Sequence, residues 1–166
     1  MRSVSSAFIY IVVETSSRKM QFKGVFEVEA PRERVFDLMT DPHQVAQCMP
    51  DLQSLEVRSR DDFHATVRVG VSFIRGNFVL HFKTAGKEPG SYAKLLAHGT
   101  GSGSALDMEI EMKLTEGKGG GTSMNWSVEA RISGKIASLG QRLLDSQAEK
   151  IVKQLFDCLR QKLERP

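Results

Sequence analysis

Four histidines, two cysteines and a scatter of carboxylates are the groups in this 166-residue chain that could carry acid–base, nucleophilic or metal chemistry. The histidines are His43, His64, His81 and His98, and none shares a local ligand spacing with a cysteine, a carboxylate or another histidine. His64 and His81 fall on the polar phase of alternating segments, which predicts surface imidazoles. Cys48 and Cys158 are far apart and match no metal or redox motif, which predicts free thiols in a reducing compartment. Glu27 and Glu29 alternate outward with Lys23, as do Asp107, Glu109 and Glu111, so they read as a solvated sheet face and not as a buried acid–base pair. The run Gly99 to Ser104 has the composition of a phosphate cradle, but a phosphate loop must lead from a strand into a helix carrying its lysine. A strand follows here, so the run is a hairpin turn, and Gly119–Gly121 is read as a turn for the same reason. Local spacing thus predicts no catalytic group, no metal and no cofactor.

The totals narrow the function further. One domain is the economical reading of this length, with a core large enough to need no staples. Apolar residues at 40% and charged residues at 26% are ordinary for a water-soluble globular protein. The net charge of +3 is spread among interspersed signs, with no basic run to mark a nucleic-acid surface. That charge permits attraction to anionic headgroups, so peripheral membrane contact is the most that is expected. The longest apolar stretch, Ala7 to Val13, is far short of the roughly 20 residues that span a bilayer. The location expected is cytoplasmic, at most peripheral to the membrane. Residues 1–19 stand apart as a leader: its β-branched run predicts an extra strand, against a poor secretory signal or a true start at Met20. The domain proper is 20–166.

The positioning elements are legible from alternation. Phe22, Gly24, Phe26 and Val28 face one way and Gln21, Lys23, Glu27 and Glu29 the other, a half-buried strand. Pro31 and then Asp41-Pro42 open two short helices, the second stopped by Pro50. Six further strands follow, around Leu52–Ser59, Phe63–Val71, Phe78–Phe82, Tyr92–His98, Leu106–Leu114 and Met124–Ile132, separated by turn signals. Strands in series with short turns predict an antiparallel meander with one wet and one buried face.

The last thirty or so residues carry two apolar rows at a step of four: Leu139, Leu143, Gln147, Ile151, Leu155, Leu159, Leu163, and Ile136, Gly140, Leu144, Ala148, Val152, Phe156. They predict one helix of roughly 45 Å, gripped by a curved sheet. Gly140 inside that helix would cost about 1 kcal/mol, and with Ala148 it would thin one row. Gln147 interrupts the other row with an amide that, if buried, needs a partner. The fold class is α+β: a helix-grip arrangement of about seven curved antiparallel strands, two short helices after the first strand and one long C-terminal helix.

This order resembles the CoxG family of carbon monoxide dehydrogenase subunits, within the helix-grip superfamily that includes START lipid-transfer domains and polyketide cyclases. The runs that carry the resemblance are Phe22–Phe36, Asp41-Pro42 with Cys48-Met49-Pro50, Ala65–Val71 with Arg75–Phe78, Gly121-Thr122, and Ser133–Asp145 (SGKIASLGQRLLD). It covers Met20 to about Leu163. Asp51 stands where such proteins usually have glycine, and Ser72-Phe73 replaces a more glycine-rich turn. Some relatives carry a membrane-anchoring extension, and that role is not expected of a chain ending at Pro166.

The resemblance implies a non-enzymatic carrier holding a quinone or lipid-like ligand between sheet and helix, serving a molybdenum hydroxylase of the carbon monoxide dehydrogenase type. Its expected lining is Phe36, Met49, Val69, Phe78, Leu80, Phe82, Met108, Met112 and Trp126, with Leu139, Gly140, Leu143, Leu144 and Gln147 from the helix. Methionine and aromatic side chains give deformable walls suited to greasy ligands, although each could equally pack a core. The mouth is expected between the short helices, the loop at Cys48–Leu52 and the turn at Ser72–Gly76, with Arg75 and Arg142 at its rim. Two other readings stand beside it: a ligand-free assembly or interaction factor for an oxidoreductase, and a cyclase- or hydrolase-type enzyme, which would need a His–carboxylate pair in the cavity.

Overall fold

The computed structural model describes residues 17–165. The expected order is found: β1 (Ser17–Val28), α1 (Arg32–Met39), α2 (Pro42–Ala46), β2 (Leu52–Ser59), β3 (Asp62–Val71), β4 (Ile74–Glu88), β5 (Tyr92–Gly101), β6 (Ser104–Glu116), β7 (Thr122–Gly134) and α3 (Gln141–Glu164). The strand expected at residues 7–13 lies outside the described residues. β1 starts at Ser17, so the last three leader residues are part of the sheet.

All seven strands form one curved antiparallel sheet in the order β1-β7-β6-β5-β4-β3-β2. β2 to β7 are a plain meander, and β1 closes the far edge by pairing with β7 from Ser17↔Ser133 to Val28↔Thr122. The β3–β4 link is a two-residue turn closed by Val71↔Ile74, with Ser72 at φ 55°. The glycine-rich run Gly99–Ser104 is a hairpin, as its context predicted. Asp51, where a glycine is usual in the family resembled, keeps the left-handed backbone at φ 57°, a conformation Asp tolerates better than most residues.

Asp41 caps α2 by accepting from the His43 amide at 3.0 Å, with Pro42 at the first helical position. The long helix is shorter than its apolar rows suggest. Ile136–Ser138 is a separate 3₁₀ turn, Gly140 is extended at ψ 149°, and α3 begins at Gln141. The Ile136 amide donates to Ser104 Oγ at 2.9 Å, which ties this turn to the start of β6 and sets where α3 can begin. At 24 residues, α3 is about 36 Å long.

α3 runs beside β1. Near its start, Arg18 donates to the Ala137 carbonyl at 2.8 Å, and near its end Arg160 donates to the Glu27 carbonyl at 2.8 Å. The opposite flank of its last turns faces α2, where Lys162 donates to Gln44 and Gln47. On the same flank Cys158 is disulfide-bonded to Cys48, with Cα atoms 5.5 Å apart across a sequence separation of 110. This corrects the expectation of free thiols and withdraws the cysteine argument for a reducing compartment. Among the described residues no helix is long and apolar enough to cross a membrane.

Candidate functional site

The space between the inner sheet face and α3 is closed at both ends and loose in the middle. At one end Leu144 packs with Met20, Ile74, Ala130, Ile132 and Leu139. At the other, Leu163 is fully buried with Phe26, Val28, Val35 and Met124, and Leu159 is also 0% exposed. At about 100° per residue, Ala148, Val152 and Leu155 lie on the same helical stripe as these anchors. They nevertheless remain only half-buried, and Ile151 beside them is 49% exposed. The buried residues accordingly form three separate clusters, whereas a filled domain of this size usually has one contiguous core.

The sheet explains why the middle stays loose. Its inner face is thinned by small residues where bulk would be needed, at Ala65, Ala93, Ala97 and Ala130. Glycine does the same at two points. A Cβ on Gly24 would lie 2.8 Å from Trp126 Cζ2, and one on Gly99 would lie 2.4 Å from Leu80 Cδ2. Trp126 and Leu80 therefore lie flat across their neighbouring strands and do not stand up into the space. Trp126 also meets Phe156 edge-on at 5.4 Å, and Phe156 stacks on Phe26 at 4.6 Å, making an aromatic wall on the β1 side.

The expected lining residues fall into two groups. Phe36, Phe78, Phe82, Met112, Leu139 and Leu144 are buried. Phe36 and Met112 fill the cluster at the α1 end, Leu139 and Leu144 the opposite one, and Phe82 stacks on Phe63 at 4.8 Å in the third. Met49, Val69, Leu80, Met108, Trp126, Leu143 and Gln147 are half-buried, and Met108 bridges two clusters. These seven border the loose middle. Leu95, Ile110 and Val128 share the inner face and its half-burial, and were not singled out from sequence.

Gly140 needs correction: it precedes the helix, and a Cβ there would meet nothing within 4 Å. It neither strains the helix nor makes room beside it. Gln147 is not a buried orphan either, since no buried side-chain polar atom lacks a partner among the described residues. It lies with Leu143 and Ile151 on the flank that carries Cys158, away from β1. That flank, the α2–β2 loop and the β3–β4 turn frame an opening where the mouth was expected.

Two surface depressions lie elsewhere. One of about 460 Å³ sits between α1 and the β4–β5 turn and includes Phe36, Arg60 and Lys87. The other, about 550 Å³, lies along the outer sheet face beside His81 and His98. Neither enters the space under α3, which is a cleft open to solvent.

Perturbed titration also sits outside that cleft. A hydrogen bond from Lys87 holds the Asp61 carboxyl below its ordinary value, and one from His81 does the same for Asp62. Desolvation, then the hydrogen bond to Glu111, raises the Tyr92 phenol. Two His–carboxylate pairs exist, His81–Asp62 and His98–Asp107, each at 2.7 Å, and both are on the outer face. Sequence reading missed them because strand pairing alone brings the partners together. The signal was present for one contact: the two-residue turn at Ser72-Phe73 places His64 opposite His81.

The comparisons with known proteins agree with this architecture. A conserved protein from Geobacillus kaustophilus is 24% identical with a TM-score of 0.80, the match covering 87% of this chain and 95% of that one. A putative uncharacterized protein from Rhizobium leguminosarum is 15% identical with a TM-score of 0.67, over 91% and 98% of the two chains. A START superfamily protein from Mycobacterium smegmatis is 12% identical with a TM-score of 0.65, over 87% and 97%. Likeness at such identities shows the fold. No curated protein matches the sequence. The model of the CoxG family of carbon monoxide dehydrogenase subunits matches residues 24–164, nearly the whole described chain, and the protein belongs to that family.

Proposed function

We propose that this protein is a non-enzymatic carrier that holds a hydrophobic ligand, a quinone or lipid-like molecule, in the cleft between the sheet and α3, and that it serves a molybdenum hydroxylase of the carbon monoxide dehydrogenase type. Family and START-like fold point to a binding or carrier role. The observation that carries the reading is the half-burial of Leu80, Met108, Ile110, Val128 and Leu155 between fully buried clusters. An isoprenoid chain lying along them would contribute several kcal/mol, at roughly 25 cal/mol per Å² of apolar surface removed from water. A flat ring fits nearer the mouth, beside Met49 and the Leu143–Gln147 flank. Gln147, half-buried on that flank, can turn its amide toward a ligand carbonyl there. The placing of both His–carboxylate pairs on the outer face favours a carrier over a cyclase or hydrolase working in the cleft.

Native purification, solvent extraction and mass spectrometry test this directly. A stoichiometric quinone or lipid, and a rise in melting temperature with quinone analogues, are expected. Lipid-free protein whose melting is indifferent to every analogue would leave the assembly-factor reading in its place.

A further inference from the structure

Three of the four histidines stand in one row across the outer sheet face, remote from the cleft. His64 on β3 pairs with His81 on β4, His81 with His98 on β5, and His98 with Asp107 on β6. The His64 and His81 rings are stacked, with centroids 4.0 Å apart and planes within 5°. Asp62, two residues before His64 and on the same face, reaches His81 Nε2 with its carboxylate at 2.7 Å. One ligand atom each from Asp62, His64 and His81 lies within 4.8 Å of the others. All three are half-buried, with side-chain exposures of 33% for His81 and 28% for Asp62, so they are held by their neighbours yet open to an ion.

We infer that Asp62, His64 and His81 form a binding site for a divalent transition cation of the zinc class, with water completing the coordination. Two imidazoles and one carboxylate are the donor set such ions favour, whereas calcium and magnesium want six or more oxygens. Bonds of about 2.0–2.1 Å in a tetrahedron place ligand atoms about 3.3 Å apart. Small side-chain rotations bring the trio to that spacing, and the paired backbones of β3 and β4 need not move. The His98–Asp107 pair, bonded through Nδ1 at 2.7 Å, borders the site without joining it. The inner face is untouched by this chemistry, so the site and the carrier reading stand or fall separately.

Calorimetric titration of tag-free, chelator-stripped protein with zinc chloride tests the site. One ion per chain is expected, with affinity lost in His64→Ala/His81→Ala. Partners that merely orient metal ligands are worth about 10- to 100-fold, so loss of ligands should cost more than tenfold. Asp62→Asn, nearly isosteric, should weaken binding with the circular dichroism spectrum unchanged, and His98→Ala should leave binding intact. Equal zinc binding by the wild type and the double variant would overturn the proposal, as would an undiminished affinity in Asp62→Asn.

Discussion

The two ends of α3 and its middle are built from the same apolar repeat yet do different work. Leu144 at one end and Leu159 and Leu163 at the other disappear into packed clusters. The last two turns add a disulfide to α2, a hydrogen bond to β1 and two to α2. Between them Ala148, Val152 and Leu155 lie on the same stripe and stay half-open, because the strands beneath offer alanine, glycine and side chains lying flat. The periodicity of a helix says which side faces inward. What that side meets is decided by the bulk on the partner surface. A rod pinned at its ends over a thinned sheet can keep a cleft without losing its place.

The contrast breaks first at the pinned end. Joining residues 110 apart removes on the order of 4–5 kcal/mol of loop entropy from the unfolded chain, with 2–5 kcal/mol typically lost on removal. Cys48→Ser/Cys158→Ser should therefore lower the urea midpoint strongly with the slope of the transition unchanged. An unaltered midpoint would mean that apolar packing alone holds the end. Leu163→Ala, at a fully buried position, should cost about 2–5 kcal/mol in the same assay, while Ile151→Ala, 49% exposed, should stay within about 0.5 kcal/mol. Similar losses at the two positions would erase the distinction between end and middle.

The wall can be tested with its own reporter, since Trp126 is the chain's one tryptophan. Gly24→Val places side-chain atoms where Trp126 Cζ2 now lies, 2.8 Å from the new Cβ. The ring must swing toward the cleft, at about 1–3 kcal/mol. Its fluorescence maximum should shift, and quinone-analogue affinity should fall. A spectrum identical to wild type would show that the strand yields and the ring does not.

Much of this architecture was legible because it rests on local pattern. Alternation at Phe22–Val28, Ala65–Val71 and Leu106–Leu114 gave the strands, and Asp41-Pro42 gave a helix start that the His43 amide bond bears out. Three things were hidden for one reason, that they are made by distant parts of the chain. The step-of-four rows ran smoothly through Ile136 and Gly140, yet the tie from Ile136 to Ser104 ends the 3₁₀ turn and delays the helix to Gln141. Cys48 and Cys158 meet only because α3 passes α2. The histidine row exists only after three strands are in register, although the turn at Ser72-Phe73 could have given its first contact. For the lining, alternation separated inner from outer residues but could not tell buried Phe82 from half-buried Met108. That difference depends on which residues across the sheet are small.

The smallest expected stability effect is the sharpest test of the open middle. Met108 sits between two clusters, half-buried, with Ala97 and Ala130 as its cross-strand neighbours. In a close-packed core, replacing it with a larger ring would force rotamers and backbone to shift, at about 1–3 kcal/mol. Over a cleft the added atoms enter free space, so Met108→Trp should change unfolding free energy by less than about 1 kcal/mol. The same atoms occupy the path assigned to the ligand chain, and binding of a quinone analogue should fall sharply. Stability and binding are therefore expected to separate in this variant. A large loss of stability would show the middle to be filled after all, and unimpaired binding in a stable variant would place the ligand elsewhere.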